Sequence, residues 1–377
     1  MKTFLRYLAI VLAAVLVFAA ARYLDSRPGK HVVEEAGDVK LDTTMETQET
    51  VETTEQTLPT EPIPEETTEP EPIRMTVTFA GDCTLGCHTL HTHAGYGFLL
   101  TVGEQFDYPF QNVKQWFEKD DLTMVNLEGP LSDEGRPRGS RYSFRGPTSY
   151  VNFLTQNSIE AVTIANNHAY DFGEVGYEST KKVLDENGVA YVEQNNSSMI
   201  TLENGVTVGL YATVYNSIDK EAMIAGIKAL KEQGVDLIIY APHWGTEHSF
   251  RATEEQVELG HAAIEAGADI VYGCHPHVLQ PIEEYKDGVI YYSLGNFSFG
   301  GNIYPADYDT AIIQQEIILD ADGTVTLGER TIVPCSISSM EKRNNYQPTP
   351  YAEGTEEYDR VLSKLDGTYE GSNLPIH

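Results

Sequence analysis

The chain has 377 residues, 41% of them hydrophobic, and 57 Asp and Glu against 25 Lys and Arg give it a net charge of −32. This length and apolar content supply a sizeable core and exclude a wholly disordered chain. The acidity excludes a nucleic-acid binder, which needs a basic face, and broad contact with anionic lipid, while it suits a protein that holds metal cations.

The charge is uneven. Residues 1–32 carry +4 and residues 33–73 carry −12, which leaves −24 for residues 74–377. At the N-terminus, Lys2 and Arg6 precede an apolar run from Tyr7 to Ala21. That run is shorter than the roughly 20 residues a spanning helix needs, but Tyr23 and Leu24 can lengthen it while Arg22 snorkels. Ala19 and Ala21 would also suit a small-residue cleavage site. The pattern favours an uncleaved membrane anchor over residues 1–24, with a cleaved signal as the alternative. Either places the remainder outside the cytoplasm, because the basic flank stays inside. Residues 25–73 read as a linker: ten Thr, eleven Glu and five Pro crowd into residues 33–73. Such a segment cannot bury enough surface to fold, and its like charges extend it.

From Met75 onward short apolar runs alternate with amphipathic stretches. MTVTFAGD predicts a strand ending at Asp82. A helix near Phe110–Glu118 is followed by LTMVNLEGP, a strand ending at Asn126-Leu127-Glu128. A helix near Tyr150–Gln156 leads to AVTIANNH, a strand ending at Asn166-Asn167-His168. EAMIAGIKALKEQG predicts a helix stopped by Gly234. VDLIIYAPH is a strand ending at His243, TEEQVELGHAAIEAGA a helix capped by Thr253, and ADIVYGCHPH a strand ending at His275-Pro276-His277. Runs apolar on both faces and separated by helices imply an α/β protein with a largely parallel sheet covered on both sides.

Ligands in such folds sit at the carboxyl ends of strands. Taken singly, each strand end here is ordinary turn chemistry. Together they bring Asp82, Glu128, Asn167, His243, His275 and His277 to equivalent positions. Carboxylate, amide and imidazole donors suit Zn²⁺, Mn²⁺ or Fe, and two carboxylates suffice for one or two divalent metal ions with one carboxylate bridging. A metal pair about 3.5–4 Å apart can activate water and stabilise a leaving oxygen. His168 is then a candidate general acid or transition-state donor. Asp171 either caps the loop or orients His168.

GDCTLG, NLEGPLS, ANNHAYDFG, HWGTEH, GCHPHVLQPIEEY and YSLGNFSFG resemble, in order and wording, the capsule-synthesis CapA family, associated with poly-γ-glutamate capsule production. The resemblance covers residues 74–335 and leaves 336–377 as a C-terminal extension. It implies a fold similar to calcineurin-like metallophosphoesterases, a sandwich of two mixed β-sheets flanked by helices. It assigns the metal roles to the six residues above and the catalytic role to His168. Two positions depart from the pattern: Cys87 stands where the family carries an Arg, and Thr84 where the phosphoesterase superfamily carries a His. Arg145 or Arg251 would then have to meet an anionic substrate. The expected activity is metal-dependent hydrolysis of a phosphoester or acyl bond in capsule biosynthesis or export. The alternatives are a non-catalytic factor that assembles or tethers the anionic polymer, and a phosphodiesterase unrelated to capsule. With no ligase or nucleotide-binding loop in the sequence, polymer synthesis would need other capsule synthesis proteins as partners.

Weaker signals remain. Cys83 and Cys274 adjoin the motifs and read as buried free thiols ahead of a disulfide or thiolate ligands. His88, His91 and His93 read as a loop over the site mouth, His261 as surface or core, and Trp244 as packing beside His243. Gly295 and Asn296 read as a tight turn beside the site. Arg136, Arg138, Arg141 and Arg145 form a basic patch that could receive a polyanion.

Overall fold

The computed structural model describes residues 71–92, 95–139 and 141–375. The expected anchor, the linker up to residue 70 and His93 lie outside the described residues. Among the described residues no helix is long and apolar enough to cross a membrane.

Two mixed β-sheets face each other. The first runs β16 (Thr349–Pro350), β15 (Val325–Ser336), β14 (Asp309–Leu319), β1 (Ile73–Thr84), β3 (Leu122–Leu127), β5 (Ala161–Thr163) and β6 (Ala190–Val192), with β13 (Asn296–Phe299) also beside β1. The second runs β11 (Ile282–Tyr285), β12 (Gly288–Tyr291), β10 (Ile270–Tyr272), β9 (Leu237–His243), β8 (Thr207–Val214) and β7 (Asn196–Thr201). A two-stranded ribbon pairs β2 (Cys87–His88) with β4 (Phe144–Arg145). The expected parallel runs are present as β1-β3-β5-β6 and β8-β9-β10-β12. Antiparallel β14, β15 and β16 make the first sheet mixed.

The period-2 alternation of strand side chains builds three layers of core. Val77 and Phe79, Leu122 and Met124, Leu237 and Ile239, and Ala311 and Ile313 fill the space between the sheets. Their neighbours Val125, Leu127, Val162 and Ile312 face outward from the first sheet, and Ile238 and Tyr240 from the second. Each buried Val, Leu, Ile, Phe or Met among them contributes about 1.5–3 kcal/mol.

Helices cover the outer faces. On the first sheet, α1 (Gly173–Glu186) buries Gly176, Tyr177, Thr180, Val183 and Leu184. On the second lie α2 (Lys220–Glu232) and α3 (Glu254–Ala266). Asp219 caps α2, and Thr253 with Gln256 forms a capping box on α3; each cap is worth about 1 kcal/mol. The helix expected near Phe110–Glu118 shortens to Lys114–Phe117. The one near Tyr150–Gln156 becomes a 3-10 turn, Thr148–Val151, running into Asn152–Thr155. Neither has a side chain capping its first turn, so little holds a longer helix.

The C-terminal residues join the same unit. Strand β16 pairs with β15, and α4 (Glu356–Leu365) is held by a buried ion cluster in which Lys364 Nζ lies 2.8 Å from both Asp307 and Asp309, while Arg360 Nε lies 2.7 Å from Asp309.

Candidate metal centre

The parallel strands of both sheets end on one side, and their carboxyl ends converge. Asp82 sits in β1 where β13 comes close: its N–H donates to the Gly295 carbonyl at 2.8 Å. A Cβ on Gly81 would lie 2.1 Å from that carbonyl oxygen, so only glycine permits this approach. Gly295 itself turns with φ +69°, as expected, but Asn296 opens strand β13 rather than completing a turn. Glu128 follows β3, with its N–H donating to the Cys83 carbonyl at 2.9 Å. His243 ends β9. His275 and His277 flank Pro276 with φ of +102° and +57°, conformations that cost non-glycine residues about 1–3 kcal/mol each.

The predicted ligands meet. Asp82 and Glu128 are fully buried. The Asp82 carboxylate lies 3.4 Å from His277 Nδ1 and accepts from Asn126 Nδ2 at 2.8 Å. Glu128 Oε1 lies 3.7 Å from His277 Nε2 and 3.8 Å from His168 Nε2. His243 Nε2 and Asn167 Oδ1 are 2.9 Å apart. The rings of His243 and His275 lie 4.7 Å apart. Ligand atoms of Asp82, Glu128 and His277 all fall within 4.8 Å of one another.

His168 and Asp171 form a dyad. Asp171 Oδ2 accepts from His168 Nδ1 at 2.7 Å and from the Phe144 N–H at 2.8 Å. A carboxylate only accepts, so the proton sits on Nδ1 and His168 Nε2 is the atom facing Glu128. The Phe144 ring, 4.5 Å from the imidazole, holds it from the other side.

The electrostatics are those of a pocket suited to a cation. Burial lifts the Glu128 carboxyl to about 7, with nearby Asp82 adding and His277 opposing. Both Glu128 oxygens, and His275 Nδ1, are buried with no hydrogen-bond partner. Burial pulls His275 down to about 3 and His243 well below the usual range, and the neighbouring imidazoles reinforce both shifts. Burial also opposes charge on His277, but the carboxylates of Glu128 and Asp82 outweigh it and lift His277 to about 10. A divalent cation satisfies all of these groups at once, so the donor set fits one.

Other predicted residues lie elsewhere. The Arg145 guanidinium sits 4.4 Å over the Phe172 ring and donates to the Glu134 carbonyl. Arg251 is exposed, and its carbonyl accepts from Ser249 and Gln280. Neither is shown against the ligand cluster. All four cysteines are free and buried, and burial pushes the Cys83 thiol up to about 12. His88 is buried, with Nδ1 accepting from the Leu90 N–H and Nε2 at 3.0 Å from the Arg141 carbonyl, so it fastens the β2–β4 ribbon. His261 stacks on Tyr285 and pairs with Glu283, and Trp244 is core, donating to the Tyr292 carbonyl.

Four residues act as partners of the ligands, a role the sequence reading does not give them. Asn126 lies two residues before Glu128, on the same face of β3, and bridges Asp82 toward His243. Asn166 donates to Asn126 and to the Leu127 carbonyl. Asn296 Oδ1 lies 2.9 Å from His277 Nδ1 while its Nδ2 donates to the His277 carbonyl, which fixes the ring. Tyr215 stacks on His275 at 4.6 Å. Strand alternation could have found Asn126; Asn166 and Tyr215 come from loops, and Asn296 from the first position of the short strand β13.

The profile described as "Bacterial capsule synthesis protein PGA_cap" matches residues 76–301, well over half of the chain. The chain belongs to this family. It is 28% identical over 298 residues to the capsule biosynthesis protein CapA of Bacillus anthracis, covering 70% of this chain and 68% of that protein. It is likewise 28% identical to the PGA biosynthesis protein CapA of Bacillus subtilis (strain 168), covering 71% and 76%. Among solved structures it is similar to a 5′-nucleotidase precursor from Thermus thermophilus at 14% identity and a TM-score of 0.42, covering 74% of this chain and 56% of that one. Every convergent residue lies inside the family match.

Proposed function

We propose that this family member is a membrane-attached, extracytoplasmic hydrolase of capsule biosynthesis or export that uses one or two divalent cations. The observation carrying this is the bare, fully buried Glu128 carboxylate between His277 and the His168–Asp171 dyad. Asp82, Glu128, Asn167, His243, His275 and His277 are the proposed ligands. When bound there, a divalent cation would supply Lewis acidity. The chain's own residues do the rest: Asn126 and Asn296 hold Asp82 and His277 in place, and Asp171 fixes the His168 tautomer. His168 Nε2 moves a proton to or from the reacting oxygen. A phosphoester is the proposed substrate class. The test is hydrolysis of bis(p-nitrophenyl) phosphate by the Mn²⁺-loaded chain, with release of shortened poly-γ-glutamate as the arm that would indicate acyl chemistry instead. Hydrolysis of neither would contradict the enzymatic reading.

Cation binding should be coupled to protons. His277, lifted to about 10, and Glu128, lifted to about 7, hold protons at neutral pH, whereas His275 and His243 are already neutral. Mn²⁺ binding near pH 7 should therefore release roughly one to two protons. Affinity should fall as pH drops, most steeply below about 7, where both groups are protonated. Calorimetric titration in buffers of different ionisation enthalpy measures this; a pH-independent affinity would contradict it.

A polymer-tethering reading has its own support. Arg136, Arg138 and Arg141 are exposed, Arg138 lies 5.4 Å over Tyr170, and its N–H donates to the Asp171 carbonyl at 2.9 Å. The patch therefore adjoins the dyad in an otherwise acidic domain. Reversing these three charges to Glu should weaken poly-γ-glutamate binding tenfold or more at low salt, on the order of 1 kcal/mol or more of lost attraction spread over the patch. Unchanged affinity discards the patch as the docking surface.

A further inference from the structure

The loop after β9 carries a carboxylate that the centre above does not use. Glu247 is half-buried, and its carboxylate, a His275 nitrogen and a His277 nitrogen all lie within 4.8 Å of one another. His275 is 4% exposed, and its Nδ1 has no partner. A bare buried nitrogen is unfavourable, so this side of the centre calls for a ligand. Asn167, His243 and His275 are neutral donors. A cation beside them would face only Glu128, which the Asp82 side also claims, and Glu247 supplies the missing negative charge.

The loop is built to hold that position. His248 adopts φ +61°, and its N–H donates to the Pro276 carbonyl at 2.7 Å, tying the Glu247 loop to the His-Pro-His turn. The C-terminal segment grips the same loop from outside. Leu374 N–H donates to the His248 carbonyl at 3.0 Å, the Phe250 N–H donates to Asn373 Oδ1 at 3.1 Å, and His248 Nδ1 lies 2.9 Å from the Pro375 carbonyl. A cavity of about 60 Å³ lined by His277, Asn296, His248 and Leu374 puts this segment at the rim of the centre. We propose that Glu247 ligates the cation on the His275 side and that residues 373–375 act as a strap positioning its loop. This rests on the cation-binding reading above.

The test is titration of the full-length chain with Mn²⁺, following free Mn²⁺ by its electron paramagnetic resonance signal, alongside metal-free thermal melting. Glu247→Gln should weaken binding at one site about tenfold or more without lowering the metal-free melting temperature. Asn373→Ala, which leaves every ligand in place, should weaken it several-fold. Asn373→Ala carries the test if Glu247→Gln does not fold, and wild-type affinity in it contradicts the strap. Wild-type stoichiometry and affinity in Glu247→Gln, with binding lost in Glu128→Ala, overturns the inference alone. Binding retained in Glu128→Ala overturns the cation reading beneath it.

Discussion

His168→Ala should lower turnover of a phosphodiester by about 10²–10⁴-fold, the range for losing a positioned general acid or base, while Mn²⁺ affinity stays within about threefold of wild type. The expected split follows from the geometry. His168 Nε2 stops 3.8 Å from Glu128 and its other nitrogen is committed to Asp171, so the ring stands beside the ligand cluster with one nitrogen turned inward. Asp171→Asn should cost less, since it removes the carboxylate that sets the tautomer and leaves the ring in place. The two variants should also alter the pH–rate profile, which a purely structural role would not do. Equal loss of cation affinity and turnover in His168→Ala would move His168 from the reaction to the ligand set.

Glu128→Ala should abolish tight cation binding. Among the described residues Glu128 is the one carboxylate placed within 4 Å of both His277 and His168, and its oxygens accept no hydrogen bond there. In the wild-type chain, a cation at 100 times its Kd should stabilise the fold by about 2.7 kcal/mol. That increment should vanish in Glu128→Ala. The metal-free variant should lose less than this increment, because Glu128 makes no hydrogen bond and its removal takes from His277 only one of two nearby carboxylates. Thermal melting with and without Mn²⁺ reads both quantities. A cation-induced rise that survives the substitution would place the ion elsewhere.

Much of the centre was legible because strand geometry is. Residues such as Leu122 to Leu127 alternate between two buried faces, so their apolar run marks a central strand, and the polar residue that ends it must lie at the sheet edge. Repeating this at Asp82, His243 and His275 recovers the ligand positions. Asn126 stands at the predicted strand end, but its role was not legible because a buried Asn in a strand looks like any interruption until its partners are seen. Helix α1 escaped because its buried stripe includes Gly176 and Thr180, which carry no apolar signal. Glu247 was invisible for another reason: its place depends on the His248–Pro276 bond and on a segment more than 120 residues downstream. Arg145, picked for its charge, is held by Phe172 and Glu134, contacts that no spacing rule foretells.

The most direct test of the account is elemental analysis of the full-length chain after purification without chelator and after reloading with Mn²⁺, Zn²⁺ or Fe²⁺. The account predicts one to two ions per chain, falling to none in Glu128→Ala. A wild-type chain that takes up no divalent metal at millimolar concentrations, or one whose metal content is untouched by that substitution, would contradict it.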